Sequence, residues 1–139
     1  MTRREAREQT FILLFEHTFR PDEPMEKLVE NAALTRELEL DDYTIRSYRK
    51  TVEMWDSLGT ILEKYLVKWK LDRISRVALV ILRLALYEMR CDDTVPTGVA
   101  INEAVELAKK YASAEDASFI NGVLGSAARA GEDGDPVSL

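Results

Sequence analysis

The segment from Arg73 to Arg90 constrains the fold of this chain more than any other. When it is drawn as a helix, apolar side chains cover nearly all of its surface, and neither proline nor glycine interrupts it. A helix of this kind belongs at the centre of a hydrophobic core. Its polar exception is a narrow strip made of Arg76, Val80, Arg83, Tyr87 and Arg90. The arginines of this strip either pair with carboxylates of neighbouring helices or offer a floor for phosphate groups.

Helical patterns also dominate the rest of the chain, because apolar residues recur every three or four positions. Pro21 and Pro24 mark a turn after the first helix, and the run from Ser57 to Gly59 is expected to separate the third helix from the fourth. The predicted helices cover residues 4–18, 25–37, 41–55, 60–68, 73–90, 97–111 and 113–129.

Side chains suited to helix caps support these boundaries. Asp41 and Asp42 fit the N-cap of the third helix, and Asp72 fits the N-cap of the fifth. Ser113 and Asp116 resemble a capping box at the start of the last helix, with Asp in place of the usual Glu or Gln.

Length and composition agree with a compact helical protein. The chain has 139 residues, 46% of them apolar, which is enough for a core without disulfide or metal staples. We predict an all-α fold, a single compact domain of about seven helices around a buried central helix. This domain covers residues 1–130, and residues 131–139 form a disordered acidic tail. No apolar run is long enough to span a bilayer, so we expect a cytoplasmic protein without a membrane partner.

Charge is distributed unevenly along the chain. The formal net charge is −6, which by itself argues against a nucleic-acid ligand. Residues 64–90, however, carry seven basic side chains against two acidic ones, and three arginines lie near the N-terminus. Such local excesses of one sign determine partners better than the total charge does. The alternative is that these charges only solvate helix faces.

Patterns that mark the common catalytic and metal sites are missing. One cysteine, Cys91, and one histidine, His17, are too few for the usual zinc ligand sets. There is no glycine-rich phosphate loop, GxSxG elbow, HExxH or CxxC motif. His17 is either a general base or a surface residue, and Cys91 either a weakly activated thiol or an ordinary small side chain. We therefore expect a protein that is not an enzyme and holds no metal or cofactor.

Several segments carry a specific resemblance. LRLALYE at 82–88, AINEAVELAKK at 100–110 and FINGVL at 119–124 occur in this order, and RREARE stands at 3–8. In this combination the sequence resembles the NusB family of bacterial transcription antitermination and termination factors. The resemblance extends over residues 3–129, although its middle part matches by length and pattern alone.

The resemblance implies an all-helical adaptor that binds RNA. NusB proteins pair with NusE, a small-subunit ribosomal protein, and the pair holds the boxA element of nascent ribosomal RNA leaders. With other Nus factors, this assembly lets RNA polymerase read through terminators. A boxA-type single-stranded RNA is a suitable target, because its unpaired bases can be stacked and hydrogen-bonded by side chains.

The resemblance also implies which residues contact RNA. They come from the N-terminal arginines, from an aromatic position in the first helix and from the FINGVL region. The implied residues are Arg3, Arg4, Arg7, Phe15, Ser118 and Asn121. To these we add Arg83, from the strip on the central helix. Guanidinium groups bind phosphate bidentately, and single-stranded bases stack on aromatic faces.

Structural roles are the alternatives at the N-terminus. Arg3 and Arg4 are otherwise part of a solvated chain end. Arg7 otherwise forms an ion pair with Glu8 or Asp116.

Structural alternatives also exist further along the chain. Phe15 otherwise belongs to the core, because its neighbours are apolar. Asn121 otherwise satisfies backbone groups near Asn102 inside a packed helix. Arg83 otherwise forms a buried ion pair.

The sequence departs from the family pattern at several positions. Glu5 lies among the N-terminal arginines, and Ser118 stands where a lysine is common, so both departures weaken the attraction to phosphate. Ala78 and Gly125 replace acidic residues that are frequent in the family, which puts polar contacts to a partner in doubt.

Two alternative functions remain open. The chain is otherwise a helical protein–protein module without RNA binding, or the NusB-like domain that precedes the catalytic domain of ribosomal-RNA cytosine methyltransferases.

Overall fold

The computed structural model describes residues 1–35, 40–66 and 73–132, and every regular element in these ranges is helical. The helices are α1 (Arg3–Phe19), α2 (Met25–Thr35), α3 (Asp42–Glu53), α4 (Trp55–Glu63), α5 (Arg76–Cys91), α6 (Thr97–Tyr111) and α7 (Ala114–Glu132). They fall into two compact units, α1–α3 and α4–α7, with the boundary between Glu53 and Met54. The prediction of an all-α fold with about seven helices is confirmed.

In the first unit, α1 packs against both α2 and α3. One face of α1 is buried through Phe11, Leu13 and Leu14, which are at most 2% exposed. The hydroxyl of Thr44 on α3 donates a hydrogen bond of 2.9 Å to the backbone carbonyl of Ala6 on α1. Apolar burial therefore brings the two helices together, and this bond fixes their register.

In the second unit, α5 is the central helix and packs against α4, α6 and α7. Its apolar residues are buried on several sides, as the pattern of the segment predicts. The buried residues of α5 include Ala78, Val80, Ile81, Leu82, Leu84, Ala85, Leu86 and Tyr87. Truncation of one of its fully buried leucines to alanine would cost about 2–5 kcal/mol of unfolding free energy.

The predicted break at Ser57–Gly59 is wrong. α3 ends at Glu53, and α4 begins at Trp55 and continues through Gly59 to Glu63. Gly59 lies inside this helix, and the guanidinium group of Arg83 approaches it closely. A Cβ atom at position 59 would lie 2.6 Å from Nη2 of Arg83. The glycine therefore makes room for a neighbouring side chain instead of ending the helix.

The predicted start of the central helix is also wrong. α5 begins at Arg76, with Ser75 as its N-cap, and the Ser75 hydroxyl accepts a hydrogen bond of 3.0 Å from the amide of Ala78. Serine is a strong N-cap because its short side chain reaches a free amide of the first turn. Asp72 lies outside the described residues, as do the predicted helix ends at 36–37 and 67–68.

The other predicted caps agree better with the structure. Asp41 accepts a hydrogen bond of 2.8 Å from the amide of Tyr43 at the start of α3. Ser113 accepts one of 3.0 Å from the amide of Asp116, which is half of the predicted capping box. α7 continues to Glu132, so it extends into the predicted tail, and residues 133–139 lie outside the described part of the chain.

Candidate nucleic-acid interface

A capping box organises the N-terminus of α1. The Thr2 hydroxyl accepts a hydrogen bond of 3.1 Å from the amide of Glu5, and the Glu5 carboxylate accepts from the amide and the hydroxyl of Thr2 at 3.2 and 3.0 Å. These donors lower the pKa of Glu5 below its usual value. Glu5 therefore has a structural function in the turn that carries Arg3 and Arg4. The predicted caps did not include this box, although the pattern Thr-x-x-Glu at 2–5 is its sequence signal.

The three N-terminal arginines do not share one environment. Arg3 and Arg4 are exposed on the first turn of α1, whereas Arg7 is only 4% exposed. The guanidinium of Arg7 lies 5.7 Å from the centre of the Tyr43 ring, and that of Arg3 lies 4.2 Å from the same centre. Arg3 and Arg4 are therefore accessible to a ligand, while Arg7 is part of the packing between α1 and α3.

Tyr43 and Arg46, both on α3, belong to this group and were not among the predicted site residues. The Tyr43 ring is 3% exposed, and the guanidinium of exposed Arg46 lies 6.0 Å from its centre. Three arginines therefore converge on one tyrosine, which we call the Tyr43 cluster (Arg3, Arg7, Tyr43 and Arg46). The spacing of Tyr43 and Arg46 on one helix is visible in the sequence, but the approach of α1 is not.

Three phenylalanines form a row along α1. The rings of Phe11 and Phe15 are nearly parallel with centres 6.0 Å apart, and Phe19 meets Phe15 edge-on at 5.1 Å. Exposure increases along the row, from 2% at Phe11 through a half-buried Phe15 to 61% at Phe19. Phe15 is thus partly accessible and partly packed, and Phe19 is a second exposed aromatic that was not among the predicted site residues.

Ser118 and Asn121 are exposed on α7 and line a groove that α7 forms with α6. The groove has a volume of about 570 Å³, and Asn102 and Lys109 of α6 also line it. Asn102 is exposed as well. The alternative that Asn121 satisfies backbone groups inside a packed helix is therefore wrong.

A larger groove of about 1080 Å³ lies on the other side of Ser118. Its lining includes the basic residues Lys64 and Arg73, the acidic residues Glu115 and Asp116, and the aromatic residue Phe119. At its edge, the Ser75 hydroxyl donates a hydrogen bond of 3.3 Å to the carboxylate of Asp116. Ser118 therefore lines both grooves, of which the larger has basic, acidic and aromatic residues and the smaller has one basic residue, Lys109.

The guanidinium of Arg83 is held by residues of α4. It lies 4.4 Å from the centre of the Trp55 ring, and its Nε atom donates a hydrogen bond of 3.1 Å to the Trp55 carbonyl. Burial lowers the pKa of Arg83, and the negative charges of Asp56 and Glu63 oppose this shift. These contacts favour a structural role for Arg83, but the predicted buried ion pair is wrong: among the described residues its direct partners are an indole ring and a carbonyl.

The rest of the strip on α5 does not form an exposed surface for phosphate groups. Val80 and Tyr87 are 1% and 3% exposed. Arg90 uses its Nη2 atom to donate a hydrogen bond of 2.9 Å to the carbonyl of Ala127. Of the strip, Arg76 alone is exposed, so the prediction of a continuous phosphate-binding surface along α5 is wrong. The helix is more deeply buried on this side than its sequence indicates, because α4 and α7 cover it.

Burial changes the pKa values of the two reactive side chains, Cys91 and His17, in opposite directions. Burial raises the pKa of the Cys91 thiol, and the positive charge of Arg90 only partly opposes this effect. Burial lowers the pKa of His17, whose ring meets the edge of Tyr48 at 6.3 Å.

Among the described residues, no group of three or more metal-binding side chains comes together. Nor is any helix in these ranges both long and apolar enough to cross a membrane.

Comparisons with known proteins agree with the order of the helices and with the sequence segments that resemble the NusB family. The sequence profile of the NusB family matches residues 4–129. A protein of Lachnoclostridium phytofermentans named transcription antitermination protein NusB is 43% identical over 129 residues, covering 89% of this chain and 96% of that protein.

Solved structures lead to the same family. The structure is similar to T. maritima NusB, with a TM-score of 0.78, 33% identity and coverage of 93% of this chain and 92% of that one. It is also similar to a chain in the crystal structure of antitermination factors NusB and NusE in complex with double-stranded RNA. There the TM-score is 0.79 and the identity 26%, over 94% of this chain and 99% of the other. Because the profile and the relatives span nearly the whole chain, this protein belongs to the NusB family.

Proposed function

We propose that this chain is a transcription antitermination factor that pairs with NusE and binds RNA. The observation that carries this proposal is the similarity, over nearly its full length, to a chain solved with NusE and double-stranded RNA. The relatives that bear the name antitermination protein support the same role. The protein is an adaptor and not an enzyme.

The RNA target that we propose is the boxA element of nascent ribosomal RNA leaders. Together with other Nus factors, the complex acts on transcribing RNA polymerase. The protein is therefore located in the cytoplasm. Residues 1–130 form the RNA-binding domain in this proposal, and residues 131–139 follow it, the first two of them within α7.

The RNA contacts that we propose begin at Arg3 and Arg4. Both side chains are exposed on the first turn of α1, and a charge-assisted hydrogen bond to phosphate is among the stronger polar contacts. Arg7 supports them from a buried position beside Tyr43.

The proposed contacts continue on aromatic and polar side chains. Phe15 offers part of an aromatic face for base stacking, and Ser118 and Asn121 offer exposed polar groups on α7. Arg83 is the last candidate, and its contacts with Trp55 favour a structural role over an RNA contact.

A titration of labelled RNA tests the function. The full chain is titrated into a single-stranded boxA-like RNA and into a duplex of the same sequence, each with and without NusE. We expect weak binding by the chain alone, tighter binding with NusE, and a preference for the single strand. Equal affinity with and without NusE would contradict the cooperative part, and no binding under any condition would favour the protein–protein module.

A further inference from the structure

The groove between α6 and α7 is lined by apolar and by polar side chains. Ile101 and Val105 of α6 line it together with Ala114 and Ala117 of α7, so apolar surface is available to the flat face of a ring. Its volume of about 570 Å³ lies within the range of small-molecule sites. Gly98 also lines the groove, and a Cβ atom there would meet no atom within 4 Å, so this end of the groove is open.

Two asparagines line this groove from different helices. Asn102 lies on α6 and Asn121 on α7, and both side chains are exposed. Neither makes a hydrogen bond to another described residue. A carboxamide carries a donor and an acceptor side by side, which matches the polar groups on the edge of a nucleobase. The two amides can therefore form hydrogen bonds with a base that enters the groove.

The charge of the groove favours an anionic ligand. Lys109 is the one charged side chain among its described lining residues. The Lys109 ammonium lies 3.4 Å from the Glu106 carboxylate, but this pair is exposed, and an ammonium has three donors. Lys109 can therefore contact a further anion. It lies about 10 Å from Asn102 along the helix axis, so the cation and the amides occupy different parts of the groove.

We propose that the groove between α6 and α7 binds a nucleotide of single-stranded RNA, in which Asn102 and Asn121 contact the base and Lys109 contacts the phosphate. This inference rests on the proposed function and deepens it, because Ser118 and Asn121 are already proposed RNA contacts and both line this groove. Asn102 and Lys109 add a second helix, α6, to that site. The amides supply base specificity, and the ammonium supplies affinity that does not depend on the RNA sequence.

The test of the base contact uses the Asn102→Ala variant of the full chain and two labelled single-stranded RNAs, a boxA-like strand and a scrambled strand of the same composition. We expect affinity for the boxA-like strand to fall about tenfold, as loss of a contact to a base edge predicts, with little change for the scrambled strand. The slope of log affinity against log salt should stay the same, because no phosphate contact is lost. An equal loss for both strands, or no loss, would overturn the base contact.

Lys109→Ala and Lys110→Ala form a matched pair of variants on α6. Lys110 is not among the described lining residues of either groove, and its ammonium lies 5.5 Å from the centre of the Tyr111 ring. Lys109→Ala should lower affinity for both strands by the same factor and make the salt slope shallower by about 0.7, the value for one phosphate of a single strand. Lys110→Ala should change neither quantity. Equal effects of the two variants would overturn the phosphate contact, because only the total charge would then matter.

Further outcomes separate a failure of this inference from a failure of the proposed function. Asn102 and Lys109 are exposed, so both alanine variants should keep the melting temperature of the unchanged chain. If they weaken pairing with NusE but not the RNA affinity of the chain alone, the groove binds a protein, and the inference fails while the proposed function stands. If the unchanged chain binds no RNA even with NusE, both fail.

Discussion

At the scale of single residues, the structure separates side chains of one type into different roles. Arg3 and Arg4 are exposed at a helix start, Arg7 is buried beside a tyrosine, and Arg83 lies near an indole ring. The sequence predicts all four as RNA contacts and leaves a structural role open for each. Burial makes the difference, because a desolvated guanidinium needs hydrogen-bond acceptors and packing partners inside the protein.

Arg83 and Gly59 should be energetically coupled. Arg83→Ala removes a donor from the Trp55 carbonyl and a cation from its ring, so we expect a loss of about 1–3 kcal/mol of unfolding free energy and little change in RNA affinity. Gly59→Ala introduces a Cβ where the guanidinium of Arg83 lies. In the Arg83→Ala background that clash is absent, and the better helix propensity of alanine should stabilise by about 1 kcal/mol.

A double-mutant cycle measured by chemical denaturation checks this coupling. In the unchanged background, Gly59→Ala should give a smaller gain or a loss. Additive effects of the two substitutions would show that the close approach of Arg83 to Gly59 does not affect the unfolding free energy. A normal melting temperature of Arg83→Ala with reduced RNA affinity would instead place Arg83 in the RNA site.

His17 should make the protein less stable at acid pH. Burial lowers its pKa in the folded protein below the usual 6.5, so the unfolded chain binds the proton more readily. Stability should therefore be complete above pH 6.5 and decrease as the pH falls below it, until the folded form is also protonated. The His17→Gln variant should show a flatter dependence of unfolding free energy on pH in this range. An unchanged profile would mean that other groups cause the loss.

At the scale of helices, much of the fold was predictable because caps and apolar periods are local signals. α1, α6 and the start of α3 agree with the predicted bounds to within one residue. The break at Met54 was not predicted, because the sequence analysis placed it at Gly59, and the glycine instead lies inside α4 beside a residue that is distant in sequence, Arg83. The same holds for the candidate site: Arg3 and Arg4 were predicted from the sequence and are exposed, whereas the approach of Arg46 to the Tyr43 ring is not visible in any local pattern.

The aromatic row of α1 provides a test of base stacking at this scale. Phe15→Leu keeps an apolar side chain in a half-buried position but removes the ring, so we expect RNA affinity to fall by about 1–3 kcal/mol. Phe19→Leu is the control, because Phe19 is 61% exposed and contacts the same ring. Its RNA affinity should change less, and thermal melts of both variants should stay close to that of the unchanged chain. A larger loss of affinity for Phe19→Leu would move the stacking position to the end of the helix.

At the scale of the whole molecule, the net charge of −6 makes the local position of each cation decisive. An acidic chain has no general attraction for RNA, and a small group of arginines must supply the electrostatic part of binding. At two positions of the predicted RNA site the attraction to phosphate is weaker than the family pattern implies. Glu5 stands among the arginines, and Ser118 replaces a common lysine. Pairing with NusE would then add the surface that this chain alone lacks.

The salt dependence of RNA binding measures how many phosphates this small basic surface neutralises. Three or four contacts to a single strand predict a log–log slope of about −2 to −3, because each phosphate contributes about −0.7. Arg129→Ala is a suitable control, since Arg129 is exposed on α7 and binds Ser126, outside the Tyr43 cluster. Its slope should equal that of the unchanged chain, and addition of NusE should make the slope steeper as more cations reach the RNA. A slope near zero would mean that the arginines of α1 do not contact phosphate, because counterion release accompanies every such contact.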